Sequence, residues 1–201
     1  NNPDVIADVA DLLFQFKEKD KMNDCLAKLK KLAPSNPKLL RISGEIAEAN
    51  KETQKAISLY ESSFKGDPGD VKTIRSLGSI FRNNQMWEDY IKLYKKALVY
   101  HPNNPDFLSR MGEVLISCPD ISLLNFEEGK KYSERAFTYY NCPLDVLIAS
   151  GSHLAYAYAM LGEKQKAITT ISQTINIGRR EKIAESHQKR LEGLLNAFQH
   201  M

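Results

Sequence analysis

The fold is decided by residues 37–104, which read as two consecutive segments of the same length, PKLLRISGEIAEANKETQKAISLYESSFKGDPGD (37–70) and VKTIRSLGSIFRNNQMWEDYIKLYKKALVYHPNN (71–104). A glycine occupies the eighth position of both segments, as Gly44 and Gly78, and a tyrosine occupies the twenty-fourth, as Tyr60 and Tyr94. Self-similarity at a fixed period of about 20–50 residues is the signature of a repeat architecture.

The period set by these two segments extends in both directions along the chain. It spaces three prolines, Pro34, Pro68 and Pro102. When units begin at residues 3, 37, 71 and 105, the fourth position is always apolar: Ile6, Leu40, Ile74 and Leu108. The eighth position is always small: Ala10, Gly44, Gly78 and Gly112. The sequence therefore predicts four consecutive units of similar structure.

Each unit carries two apolar stripes at helical spacing, separated by a polar turn such as Asn83-Asn84-Gln85. We expect the small residue at position eight to let the two helices of a unit approach closely, beside the aromatic ring at position 24. Helices of about 13 residues are too short to be stable alone. The units are therefore predicted to stack and to bury one another's apolar faces.

This pattern resembles the tetratricopeptide repeat (TPR) family, whose repeats have Gly at position 8, Ala at 20 (Ala56), Tyr at 24 and Pro at 32. The resemblance is strongest over residues 37–102, and variant units extend it to about residue 177. It implies an all-α fold, a right-handed superhelical array of antiparallel helix pairs, or α-solenoid, with a C-terminal capping helix. It also implies that the first helices of successive units line a concave groove.

The expected domain organisation is a single repeat domain over residues 1–201. Its units cover about 3–36, 37–70, 71–104, 105–146 and 147–180, and the capping helix covers about 181–199. In the fourth unit Gly112 and Gly129 are further apart than positions 8 and 20 of the family, and the excess predicts five inserted residues. The insert, within 118–125, is either a tolerated loop extension or an apolar lip of Ile121, Leu123 and Leu124 for binding or dimerisation.

The last two helices are predicted from a glycine and an apolar face. Gly178 is a candidate stop for the second helix of the fifth unit. The final helix is then expected to start near Glu181 and to place one apolar face against the array: Ile183, His187, Leu191, Leu194 and Leu195. Such a helix caps the exposed end of an array. It is also a second candidate surface for a homo-oligomer.

Composition narrows the class of partner. The net charge is +3, and the excess comes entirely from residues after 150, so no electrostatic footprint for nucleic acid is expected. Three cysteines without a C-x-x-C pair predict neither a disulfide framework nor a zinc site. No signal peptide or membrane-spanning stretch is visible. Because the chain begins with Asn, we expect it to be a piece of a longer protein.

The sequence shows no catalytic constellation. H-E-x-x-H, G-x-S-x-G, the P-loop and G-x-G-x-x-G motifs are all missing, and the four histidines lie far apart along the chain. We therefore expect a protein that is not an enzyme and that needs no cofactor or metal. Function is expected to come from a surface instead.

The resemblance assigns groove-facing positions on the first helices. In the second and third units these positions include five cations and a carboxylate: Lys38, Arg41, Lys72, Arg75, Arg82 and Glu45. Together the cations could bind an acidic peptide, or they could be ordinary solubilising charges paired across the groove. The family's Lys-and-Asn peptide clamp at positions five and nine is replaced here, for example by Arg41 and Glu45.

A more apolar part of the groove is expected in the fifth unit, where Tyr156 and Met160, together with Ile116 of the fourth, could anchor an apolar side chain. Two functions remain open from the sequence. The first is a protein-interaction scaffold that binds a peptide or protein in the groove. The second is an accessory repeat domain of a larger enzyme that positions the substrate or mediates oligomerisation.

Overall fold

The computed structural model describes residues 2–201, and within that range every regular element is a helix. The predicted all-α class is confirmed. Eleven α-helices follow one another along this part of the chain: α1 (Pro3–Gln15), α2 (Lys19–Leu32), α3 (Pro37–Ala49), α4 (Thr53–Gly66), α5 (Val71–Asn83), α6 (Trp87–Tyr100), α7 (Pro105–Ser117), α8 (Phe126–Phe137), α9 (Leu144–Met160), α10 (Lys164–Arg180) and α11 (Glu185–Gln199).

The first helices of the first four repeats all begin after the same kind of cap. The residue before the helix accepts hydrogen bonds through its side-chain oxygen from backbone N–H groups of the first turn; these caps are Asn2, Asn36, Asp70 and Asn104. Each cap follows the previous one by one repeat period. Such a cap contributes about 1 kcal/mol to the stability of a helix. The period therefore fixes where each repeat starts.

The turn inside each helix pair is also repeated. Position 15 has a positive φ at four places: Lys17 (60°), Lys51 (62°), Gln85 (57°) and Gly162 (78°). The next backbone N–H then donates to the carbonyl five residues earlier, as Glu52 does to Ala47 at 2.9 Å and Glu163 to Tyr158 at 2.8 Å. This arrangement satisfies a carbonyl that the end of a helix leaves without a partner.

The fourth pair turns differently because Pro119 stands at the equivalent position. A proline ring holds φ near −65°, so this residue cannot adopt the positive φ that the regular turn needs. The chain instead forms a 3-10 turn over Ile121–Leu123, capped by Asp120. The N–H of Asn125 then donates to the Leu115 carbonyl at 2.8 Å, the bond that the regular turn makes five residues earlier. This turn is therefore longer than the regular one by the insertion that the glycine spacing predicts.

The small residue at position eight marks a close helix crossing, as predicted. A Cβ built on Gly44 of α3 would lie 2.8 Å from the Tyr60 ring of α4, which is closer than side chains pack. In the fourth pair, a Cβ on Gly112 would overlap the Ser133 hydroxyl of α8, which stands at position 24 in place of tyrosine. The predicted pairing of positions 8 and 24 is confirmed at these two crossings.

The chain divides into two compact units, the first ending at Met86 and the second spanning Trp87–Met201. In the first unit, Leu39 and Ile42 of α3 pack in clusters with Ala7, Ala10, Met22 and Leu29 of the preceding helix pair. In the second unit, α9, α10 and α11 share a core that contains Ala155, Ile171 and Leu191. The expectation of a single domain over 1–201 stays a prediction.

Several helix limits differ from the expected ones. Helix α8 ends at Phe137 and α9 already begins at Leu144. Helix α10 runs through Gly178 to Arg180, so this glycine does not stop it. A Cβ on Gly178 would lie 2.7 Å from Ile183, which packs back onto the helix before α11 begins at Glu185. His187 is exposed and does not share the buried face of Leu191.

Candidate binding surfaces

Arg41 is the most deeply buried charged side chain of the first unit. Only 2% of its surface is exposed. Its guanidinium lies among carboxylates of three segments, with Nη2 2.6 Å from Asp11 of α1, Nη1 2.7 Å from Glu45 of α3 and Nε 3.3 Å from Asp70 at the start of α5. This arginine therefore links the first helices of three consecutive repeats.

Two of the carboxylates around Arg41, those of Asp11 and Glu45, have opposite pKa shifts. Burial alone would raise the pKa of Asp11, but hydrogen bonds from Lys72 and Arg41 outweigh burial and hold the pKa below its usual value. For Glu45 burial is the larger effect, and it raises the pKa although Arg41 partly opposes it. One oxygen of Glu45, Oε2, is buried without a hydrogen bond from the described residues. Asp11 is thus stabilised in its ionised form by the network. The ionised form of Glu45 is destabilised by burial.

The neighbouring lysines are paired as well, but they remain accessible. Lys72 Nζ lies 2.6 Å from the second oxygen of Asp11, and half of the lysine side chain is exposed. Lys38 forms a separate ion pair with Asp8. The structure therefore places Arg41, Glu45 and Lys72 in one network of alternating charge through Asp11 and Asp70, in which Arg41 is too buried to contact a ligand directly.

The two remaining predicted cations, Arg75 and Arg82, are exposed on α5. They lie on the helix that also carries Lys72. We call Lys72, Arg75 and Arg82 the α5 cationic face. All three side chains are exposed, and Lys72 also pairs with Asp11. Guanidinium and ammonium groups at a surface can donate charge-assisted hydrogen bonds to carboxylates.

The carboxylates Asp8, Asp11 and Asp70 were not among the predicted site residues. The repeat period is the sequence signal that could have identified Asp11. Asp11 stands at position nine of the first repeat, and its partners Arg41 and Lys72 stand at positions five and two of the next two repeats. An acid on one repeat and cations on the following repeats can indicate a pair across stacked helices, but the lateral offset that joins them is a property of the packing.

Tyr156 and Met160 lie one helical turn apart on α9 in the second unit. They are 38% and 48% exposed, so both offer apolar surface to solvent. Ile116, which was expected beside them, is 2% exposed and lies under α8, where a Cβ on Gly129 would be 2.6 Å from its side chain. Of the three residues expected to anchor an apolar side chain, Tyr156 and Met160 are therefore exposed and Ile116 is buried.

Across residues 2–201 no group of three or more His, Cys, Asp or Glu side chains is placed to hold a metal ion. Cys25, Cys118 and Cys142 are free thiols. None of the helices in this range has both the length and the apolar content that a membrane crossing requires. Ile121 of the insert is 82% exposed.

Comparison with known proteins identifies relatives in fold. No protein family model and no curated protein matches the sequence. A tetratricopeptide repeat protein from Parabacteroides merdae superposes with a TM-score of 0.68 at 15% identity, over 96% of this chain and 73% of that chain. MamA from Desulfovibrio magneticus RS-1 gives 0.63 at 11% identity, over 90% and 97%. YrrB, described as a TPR protein with an unusual peptide-binding site, gives 0.60 at 13% identity, over 87% and 92%.

Proposed function

We propose that this chain, which has the tetratricopeptide-repeat fold, is a protein-interaction scaffold that binds an acidic peptide or protein segment on its α5 cationic face. The observation that carries the proposal is that the predicted cations differ in burial. Arg41 is buried and fixes α1, α3 and α5 side by side, whereas Lys72, Arg75 and Arg82 remain exposed on α5. A rigid helix that presents several cations suits the capture of carboxylates.

The fold comparison supports the same class of function. YrrB has a peptide-binding site according to its description, and it shares the fold with this chain. In the second unit, Tyr156 and Met160 offer a separate apolar surface, and aromatic and methionine side chains give large, adaptable contact areas. In this proposal they bind an apolar side chain of a partner.

The experiment selects ligands from a random-sequence peptide library with the immobilised chain. We expect the enriched peptides to be rich in Asp and Glu. Their affinity, measured by fluorescence anisotropy, should fall as salt is raised, because exposed ion pairs are screened. The Lys72→Ala/Arg75→Ala/Arg82→Ala variant should bind roughly ten-fold more weakly, which corresponds to about 1.4 kcal/mol. Its binding should also depend less on salt.

The matched control removes three exposed cations from the second helices of the same unit, in Lys28→Ala/Lys31→Ala/Lys65→Ala. It changes the net charge equally, so it should keep the wild-type affinity. Equal losses in both variants, or enriched peptides without acidic residues, would show that α5 is not the binding face. The Tyr156→Ala/Met160→Ala variant tests the apolar surface of the second unit by itself, and unchanged affinity in that variant would show that these two residues do not contact the partner.

A further inference from the structure

Helix α1 has an apolar face that no other part of the described chain covers. Four large apolar side chains on this face are exposed: Val5 (58%), Val9 (41%), Leu12 (53%) and Phe16 (77%). We call these four residues the α1 stripe. Their spacings of four, three and four residues keep them on one side of a helix, in the pattern of the seam of a coiled coil.

The stripe occupies positions that the fourth repeat buries. Three periods later, the equivalent residues of α7 are all buried: Phe107 (0%), Met111 (0%), Val114 (3%) and Cys118 (6%). Phe107 is covered by α6, the second helix of the preceding pair, through an edge-on contact with Tyr94 at 5.6 Å between ring centroids. Because the equivalent positions of α7 pack against a helix, the α1 stripe has the spacing of a surface that packs against a helix.

We infer that the α1 stripe is an interface with a second copy of this chain, in which the two α1 helices pack antiparallel about a two-fold axis. The stripe is self-complementary in that arrangement. An axis at its midpoint places Val5 opposite Phe16 of the second copy and Val9 opposite Leu12 of the second copy. Large and small apolar side chains then alternate along the seam, as close packing requires.

Charge selects the antiparallel arrangement of the second copy. Asp4 lies at the start of α1 and Lys17 directly after its end, and both are exposed. The same axis brings Asp4 opposite Lys17 of the second copy, so the seam ends in two ion pairs. A parallel pair would instead place Asp4 opposite Asp4 and Lys17 opposite Lys17. Opposite charges at the ends of the seam favour the first arrangement.

The interface is small, so its affinity is expected to be modest. A single helix pair lies at the low end of the size range of protein interfaces. We therefore expect a dissociation constant of roughly micromolar order. Sedimentation velocity across the micromolar range should show a concentration-dependent change from monomer to dimer.

The first test introduces a charge into the seam. Leu12→Asp should be monomeric at every concentration, because it places two like charges near the two-fold axis in an apolar interface. The control is Val99→Asp, which adds the same charge at an apolar residue of α6 that is 76% exposed. It should dimerise like the wild type. Circular dichroism checks that both variants keep their helix content.

The second test reads the direction of the helices. Asp4→Lys and Lys17→Asp should each weaken the dimer several-fold, and the double variant should restore it, since the ion pairs are re-formed with reversed sign. Without restoration, the antiparallel interface would be wrong. A wild-type chain that is monomeric at the highest concentration would overturn the inference and leave the stripe to a further repeat or a different protein. Neither result bears on the α5 cationic face, which is a separate surface.

Discussion

At the residue scale, Arg41 shows how a groove position can become a structural one. Its place at position five predicts contact with a ligand, but its side chain is 2% exposed and lies among three carboxylates. A buried charge is stable only when it is paired and hydrogen-bonded, and the removal of one partner leaves the others buried without compensation. We therefore expect this one side chain to make a large contribution to the free energy of unfolding of the first unit.

We predict that Arg41→Ala lowers the free energy of unfolding by about 3–5 kcal/mol, the usual effect of breaking a buried ion pair. Urea denaturation at neutral pH measures it. The control is Lys55→Ala, which removes an exposed pair with Glu52 and should cost at most about 1 kcal/mol. If both variants unfolded at the same urea concentration, the network around Arg41 would not hold the first unit together.

The second residue-scale prediction concerns pH. The pKa of Asp11 in the folded chain lies below the ordinary value of 3.8. A carboxylate whose folded pKa is lowered contributes stability above its unfolded pKa and loses it as pH falls through the folded pKa. Asp11→Asn should therefore be destabilising near neutral pH, and the difference from the wild type should shrink below about pH 4.

Urea denaturation of both proteins at several pH values measures this difference. Glu45 has the opposite shift, and the charge of Asp11 is one of the effects that raise the Glu45 pKa. The comparison therefore measures the loss of Asp11 together with its effect on Glu45. Asp24→Asn changes an exposed aspartate of α2 and should match the wild type throughout. A difference between Asp11→Asn and wild type that stayed constant from neutral pH to pH 3 would contradict the assignment.

At the element scale, each helix pair is specified by local signals that recur with the period. Side-chain caps begin the first helices, a residue with positive φ ends them, and Gly44 and Gly112 allow the pair to close. Where one signal changes, the element changes with it: Pro119 cannot take the positive φ, and the chain forms a longer turn. The local sequence of each helix pair therefore determines the form of its turn and its crossing.

We predict that Gly44→Ala and Gly193→Ala have opposite effects on stability. At Gly44 the added methyl group would lie 2.8 Å from the Tyr60 ring, and such overpacking costs about 1–3 kcal/mol. At Gly193 in α11 a Cβ meets no atom within 4 Å. There the higher helix propensity of alanine should stabilise by up to about 1 kcal/mol. Thermal denaturation compares the two, and stabilisation by both would refute a tight crossing at Gly44.

At the scale of the whole molecule, the two ends of the described chain differ. Helix α11 buries Leu191 and Phe198 against α9 and α10 and turns a polar face to solvent. Helix α1 turns four large apolar side chains to solvent. Stacked repeats leave an apolar face at each end of the stack, and a helix with one polar face is the usual way to cover it. Helix α11 therefore covers the apolar face of α9 and α10 in the second unit, whereas α1 of the first unit leaves its own apolar face exposed.

We predict that removal of residues 181–201 destabilises the second unit by about 3–6 kcal/mol. The deletion removes two large buried side chains, Leu191 and Phe198, and burial of each contributes about 1.5–3 kcal/mol. The exposed face should also bind more of a hydrophobic dye. Urea denaturation of the shortened and intact chains measures the loss, and removal of His200 and Met201 alone is the control. An unchanged unfolding midpoint after the longer deletion would show that α11 does not cap the core.

The sequence by itself determined the repeat, the helical class, the two close crossings and the longer turn of the fourth pair. These features depend on local chemistry, namely side-chain caps, φ values and the size of one side chain, which recurs in most of the repeats. Only the tertiary structure decided that Arg41 is buried between Asp11 of the preceding repeat and Asp70, which caps the first helix of the following repeat. It alone separated the covered Met111 from the exposed Val9. The reason is that ion pairing and burial depend on which neighbour a helix packs against, and the repeat pattern, which is the same at every unit, does not specify that neighbour.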